Sequence, residues 1–369
     1  MRLRGARIRM GRVYNFSPGP SAVPEPVLAR VREELYDWQG LGMSVMEVSH
    51  RGKAFEAIVE RSEARLRELL AIPASYRVLF LSGGATMQFA AIPMNLASPG
   101  ARVDYVLTGN FGKRAAVEAQ RYCTVNVAAD GSAERYTKIP ARETWTLSDD
   151  AIYVHYTPNE TVNGVEFHFV PDTAGVPLVA DMTSTILSRP IEVDRFGLIY
   201  AGAQKNLGIS GLAVVIVRED LLGHARRETP SILDYAAQVA DKSLLNTPPT
   251  FVWYVLSLVL DWIAEEGGLE VMATRNAAKA KRLYDAIDAS SLYSNPVHAD
   301  ARSWMNVPFT LADSSRDQAF LAEATRAGLA NLKGHRSVGG MRASIYNAMP
   351  EAGVAALVEF MREFERRHA

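Results

Sequence analysis

The stretch RVLFLSGGATMQFAAIPMNLASPGARVDYVLTGNFGKRAAVEAQRY, residues 77–122, decides the fold class, because it contains one structural unit twice. RVLFLSGG (77–84) is a short apolar run closed by glycines and reads as a buried strand and a turn. TMQFAAIPMNL (86–96) reads as the helix that follows. RVDYVLTG (102–109) and NFGKRAAVEAQRY (110–122) repeat the pattern as strand and helix. Downstream, AIYVHY (151–156), PLVAD (177–181), LIYAGAQ (198–204) and LAVVIVRE (212–219) read as further buried strands. Continuous Val, Ile and Leu runs separated by helices predict an α/β fold, a mostly parallel sheet covered by helices on both faces. Ligands of such sheets gather at the carboxyl ends of the strands. That rule selects Ser82-Gly83-Gly84, Asp181 and the residues after Ala203.

Upstream, FSPGPSAVPEP (16–26) reads as a loop, and Val27, Val31, Leu35 and Trp38 fall on one face of a helix over 27–38. A second helix is predicted over 55–70, with Phe55, Ile58, Val59, Leu66 and Leu69 inward. The most apolar run, FVWYVLSLVLDWI (251–263), is interrupted by Asp261 and falls short of the ~20 residues that a bilayer span needs. It reads as a core helix. Past Gly267-Gly268 the character changes to a long helix (269–287), the strand SWMNVPFTL (303–311) and a helix over 318–327. The strand MRASIYNAM (341–349) and a last helix from Glu351 complete an α+β block. We therefore divide the chain into a large domain, 12–266, and a smaller C-terminal domain, 267–369, which the N-terminal segment is a candidate to join. Residues 1–11, rich in arginine and without acids, read as a basic tail expected to be disordered, with Met10 as an alternative start. They lack the apolar core of a signal peptide and the length and serines of a transit peptide.

Among the 369 residues, 48% are hydrophobic and 22% charged, with a formal net charge of -1. That is globular composition without the positive field of a nucleic-acid or membrane-surface binder. Cys123 is the single cysteine, so no intrachain disulfide framework forms and a reducing cytoplasm is the natural setting. It reads as a small buried hydrophobe.

Asp181 ends one predicted strand and Lys205 follows the next, so both side chains can face one ligand. Pyridoxal phosphate needs such a pair, an amine to hold its aldehyde and an acid to keep its ring nitrogen protonated. A capping aspartate and a surface lysine would share this spacing. The loop SGGATMQ (82–88) can offer backbone N–H groups at a helix start to a phosphate, or be a plain glycine turn. SHRGK, with His50 and Arg51, and KGHRSVGGMR, with His335, Arg336 and Arg342, suit a small polyanion between domains, or are solvated basic loops. No HExxH, P-loop or GxSxG element is present, and no metal site is expected.

FSPGP (16–20), GLGMSVMEVSHRGK (40–53), HYTPNETVNGVEF (155–167), VADMTSTILSRPIEV (179–193), YAGAQKNLGISGLAVVIVRED (200–220), NTPPTF (246–251) and GHRSVGGMRASIYNAM (334–349) closely resemble the phosphoserine aminotransferase family. That family lies within the class V aminotransferases of pyridoxal-phosphate fold type I. The resemblance runs from about Val13 to the C-terminus. It implies Lys205 as the Schiff-base lysine and Asp181 as partner of the pyridine nitrogen. It further implies Ala85, Thr86 and Gln204 at the cofactor phosphate, Thr161 as a cofactor contact and Phe111 as the stacking aromatic. Asn246 and Thr247 would reach the phosphate in the other subunit, implying a homodimer with shared active sites. Arg51 and Arg342 match substrate-anion ligands, with His50, His335 and Arg336 nearby. Some members have Gly-Arg in place of Ala85-Thr86 and many have Trp in place of Phe111. These departures imply an altered ligand set for the phosphate and less stacking area.

The resemblance implies reversible, ping-pong amino transfer from L-glutamate to 3-phosphohydroxypyruvate in serine biosynthesis, in the cytoplasm. A second activity on the phosphorylated hydroxythreonine of vitamin B6 (pyridoxine) synthesis is the related expectation. The alternatives are a class V aminotransferase for another amino/keto acid pair, or a non-catalytic pyridoxal-phosphate-binding protein. A desulfurase would need a persulfide-forming cysteine, and Cys123 lies in no matching loop.

Overall fold

The computed structural model describes residues 11–368. The basic tail expected over 1–11 therefore lies, apart from Gly11, outside the described residues. Seven strands form the central sheet in the spatial order Tyr76–Ser82, Leu212–Arg218, Leu198–Gly202, Leu178–Asp181, Val154–Tyr156, Arg102–Leu107, Thr124–Asp130. Leu212–Arg218 runs antiparallel to both its neighbours. The other pairings are parallel, so the sheet is mostly parallel, as the apolar runs predict.

Period-two alternation explains why these strands read as unbroken apolar runs. Tyr76, Val78 and Phe80 pack into the core on one face, with Leu212, Val214 and Ile216. Leu79 and Leu81 pack into the core on the other, with Val215 and Val217. Both faces are dry, so neither set of positions tolerates polar residues. The first face is covered by the helices Lys53–Leu70 and Thr250–Glu265. There Trp253 stacks on Phe80 at 4.7 Å and meets Phe55 edge-on at 5.7 Å. Burying each phenylalanine contributes about 1.5–3 kcal/mol. Asp261, which interrupts that apolar helix, is buried and paired with Arg61 at 2.9 Å on the facing helix. The second face is covered by Ala85–Leu96 and Asn110–Ala119, the two helices of the opening stretch.

Beyond Gly267 the helix Gly268–Asp288 leads to a three-stranded antiparallel sheet of Tyr293–Ser294, Asn306–Leu311 and Met341–Ser344. It packs with the helices Asp317–Arg326 and Glu351–His368 around a separate core that also takes in Phe16. The strand Tyr14–Asn15 pairs in parallel with Leu329–Ala330, so the N-terminal segment is tied into this C-terminal block.

Four local readings change. The first helix is Glu25–Glu34; it stops before Leu35, which is exposed, and Trp38 is buried from a separate short turn. Strand Thr124–Asp130 was not legible, because it lies at the sheet edge with its first four residues partly or fully exposed. In AIYVHY and MRASIYNAM only Val154–Tyr156 and Met341–Ser344 pair as strand. After Ser344 the chain leaves the sheet, and the buried Lys279 amine donates to the carbonyls of Ile345, Tyr346 and Met349.

Candidate active site

A cavity of about 280 Å³ opens where five strand ends meet. Asp181 is the last residue of its strand, and Lys205 lies three residues past Leu198–Gly202. Gly84 ends the turn after Tyr76–Ser82, Asn110 and Phe111 start the helix after Arg102–Leu107, and Thr157, Asn159 and Thr161 follow Val154–Tyr156. Among the described residues three larger cavities, of about 410, 570 and 690 Å³, lie elsewhere and contain neither Lys205 nor Asp181. Chemistry rather than size identifies the site.

Lys205 is 7% exposed, and its Nζ donates a 2.5 Å bond to Thr161 Oγ1. The amine lies 5.5 Å from the Phe111 ring centroid and 5.9 Å from that of Tyr346. Burial pushes its pKa down to about 8, opposed by the negative charge of Asp181 and reinforced by Arg342. The N-terminal loop closes over it: Ser21 donates N–H to the Gln204 carbonyl and Oγ–H to the Lys205 carbonyl. Gly19 packs against it, with room for a Cβ in van der Waals contact 3.5 Å from Lys205 Cε, but its φ of +147 favours glycine.

Asp181 Oδ1 accepts from the Thr183 N–H at 3.0 Å and the Thr183 hydroxyl at 2.5 Å. That hydroxyl in turn accepts from the Gly202 N–H. Burial raises the carboxyl pKa, while the Thr183 bonds and Lys205 act to lower it. Behind it, Tyr200 shares a 2.9 Å bond with His155 Nε2, and Tyr105 stacks on the imidazole at 4.6 Å. Burial drops the His155 pKa to about 3, so it is neutral. Arg342 is buried and its Nη1 donates to the Thr161 carbonyl at 3.4 Å, while its Nε has no partner. At the helix start no side chain caps Gly84, which leaves first-turn N–H groups beside the cavity.

Nine of the residues singled out from sequence line this cavity: Ala85, Thr86, Phe111, Thr161, Asp181, Gln204, Lys205, His335 and Arg342. His50, Arg51, Arg336, Asn246 and Thr247 lie outside it in the single chain, and all but His50 are exposed. The cavity also takes in Asn110, Arg114, Thr157, Asn159, Thr183 and Ser184, which sequence reasoning missed. Thr183 and Ser184 carried a usable signal, as hydroxyls within three residues of a strand-end acid. Asn110 and Thr157 carried none beyond following a strand. Among the described residues no cluster of three or more His, Cys, Asp or Glu could hold a metal ion, and no helix is long and apolar enough to cross a membrane.

The model of the family described as aminotransferase class-V matches residues 13–357. The phosphoserine aminotransferase of Pseudomonas syringae pv. tomato is 56% identical over 357 residues, spanning 97% of this chain and 99% of that protein. Among solved structures, phosphoserine aminotransferase from Bacillus circulans subsp. alkalophilus superposes with a TM-score of 0.95 at 48% identity, covering 97% of this chain and 99% of that one. The pyridoxal-phosphate-bound phosphoserine aminotransferase from Trichomonas vaginalis does so at 0.91 and 43%, covering 95% and 100%.

Proposed function

The chain belongs to the class V aminotransferases, and from that premise we propose that it catalyses the phosphoserine aminotransferase reaction. L-Glutamate gives its amino group to 3-phosphohydroxypyruvate, yielding O-phospho-L-serine and 2-oxoglutarate, a step of serine biosynthesis. The observation that carries this reading is that Lys205, Asp181 and Arg342 are all buried against one cavity.

The residues present fit pyridoxal 5'-phosphate. Lys205 would hold its aldehyde carbon, Asp181 its ring nitrogen and Phe111 one ring face. The uncapped N–H groups at Ala85 and Thr86, with Gln204, would take the phosphate, using the positive end of a helix in place of a side-chain cation. When bound, the cofactor supplies an electron sink that weakens the substrate Cα–H bond. The chain's own groups do the rest. Lys205 Nζ, able to lose its proton near pH 8, accepts the proton from the substrate Cα and returns it. Asp181, its Oδ1 fixed by two bonds from Thr183, keeps a negative charge where a positive ring nitrogen needs one.

Glutamate and phosphoserine each carry an α-carboxylate and a second anion. Arg342, with an unpartnered Nε, is assigned to the α-carboxylate. His335 borders the cavity and starts the site for the distal anion, which Arg336, His50 and Arg51 complete in the assembled enzyme. That assembly is a cytoplasmic homodimer, with Asn246 and Thr247 at the partner's cofactor phosphate. 4-Phosphohydroxy-L-threonine has the same two anionic ends, so the same site serves it in vitamin B6 synthesis. A keto-acid panel with glutamate as donor tests the reading. Turnover of 3-phosphohydroxypyruvate should exceed that of unphosphorylated acids; the reverse order would overturn the specificity.

A further inference from the structure

Glu160 is fully buried beside the cavity and takes no part in the mechanism above. Its carboxylate accepts the Phe111 N–H at 2.9 Å on Oε2 and the Gly112 N–H at 2.7 Å on Oε1. Both donors belong to the first turn of Asn110–Ala119, where the helix dipole favours a negative charge. Among the described residues no lysine or arginine forms an ion pair with it. Burial pushes its pKa up to about 7, and the two backbone bonds oppose this. A serine or aspartate at the cap is the usual partner of such N–H groups, but the cap here is the buried Gly109. The packing is also close: a Cβ on Gly109 would lie 2.5 Å from Glu160 Cγ and Cδ, although the Gly109 backbone is extended.

Glu160 directly precedes Thr161, the acceptor of the Lys205 amine, and its two bonds end at Gly112 and at Phe111, whose ring lies 5.5 Å from that amine. One carboxylate thus joins two walls of the cavity. We propose that Glu160 is a positioning residue that clamps the Phe111 wall to the Thr161–Lys205 wall and so sets the width of the cofactor slot. This rests on the cavity being the pyridoxal-phosphate site.

The test uses two full-length variants. Glu160→Gln keeps the volume but turns an amide N–H toward a backbone N–H. Gly109→Ala keeps the carboxylate and displaces it. Hydrogen exchange at residues 109–113 of the cofactor-free chain should accelerate about tenfold or more in both, as expected for a lost charge-assisted bond. Pyridoxal-phosphate affinity, titrated through the cofactor's visible absorption band, should weaken by about the same factor. If both variants melt lower yet keep wild-type exchange at 109–113, or keep wild-type cofactor affinity, Glu160 is only a buried cap and the proposal falls. Should Glu160→Gln not fold, Gly109→Ala decides alone. A wild-type chain that binds no pyridoxal phosphate would overturn the proposed function instead, and the exchange measurement would still read the clamp.

Discussion

The Lys205 amine donates a 2.5 Å bond to the Thr161 hydroxyl, and Arg342 donates to the carbonyl of the same threonine. Thr161 therefore sits between two buried cations and offers an oxygen to each. The hydroxyl favours the protonated amine, while burial disfavours it more strongly.

The acidity of Lys205 follows from its burial. In the cofactor-free chain the fraction of reactive, neutral amine should grow as pH rises through about 8, well below the ordinary lysine value of 10.5. Labelling of Lys205 by an amine reagent, followed by peptide mass spectrometry against pH, measures it. Thr161→Val removes an acceptor of the charged form, so its midpoint should fall below that of the wild type. The linkage has a definite sign. Between 8 and 10.5 the unfolded chain binds more protons at this site, so the Lys205 contribution to stability grows with pH there and is lost as pH falls to 8. A wild-type labelling midpoint at the ordinary lysine value would refute the assignment.

Asp181→Asn preserves shape and the Thr183 contacts but removes the charge. Amino transfer should fall by roughly 10²–10³ in kcat, the usual loss for one preorganised electrostatic group. Cofactor absorbance should persist, because Lys205 is untouched. Retention of near-wild-type turnover would show that the ring nitrogen does not depend on this carboxylate.

Legibility in the sequence followed burial pattern. The strands 76–82 and 212–218 were readable because both their faces are dry, so no polar residue breaks the run. Thr124–Asp130 was not, since an edge strand with few buried residues looks like loop. Lys205 and Asp181 stood out as charges at the ends of apolar strands. Glu160 did not, because what matters there is a distance to two backbone N–H groups from residues about fifty positions away. Asn246 and Thr247 resemble family residues, yet nothing in a single chain brings them to the cavity.

The amide network behind Lys205 predicts a stability effect. Asn347 donates its N–H to Asn206 Oδ1 at 3.1 Å and its Nδ2 to the Leu187 carbonyl at 2.8 Å, and accepts from Asn276 Nδ2 at 2.8 Å. All three asparagines are buried. Asn347→Ala leaves the Leu187 carbonyl and an Asn276 N–H in competition for partners away from water. It should cost about 1–3 kcal/mol of stability, measured by chemical or thermal unfolding. A variant as stable as the wild type would mean that water or a side-chain shift replaces the network.

The proposed sharing of active sites predicts complementation between two defective chains. Lys205→Ala removes the amine, and Asn246→Asp places a carboxylate where a phosphate is proposed to sit. If Asn246 serves the partner's site, each mixed dimer has one site with native Lys205 and native Asn246 together, and one site carrying both defects. Random reassortment makes about half of the dimers mixed, so about a quarter of all sites are intact and activity should recover to that level. If each site is built from one chain, mixing creates no intact site, and activity stays at the average of the two variants. Assayed after co-refolding against the unmixed proteins, the recovery separates the two arrangements.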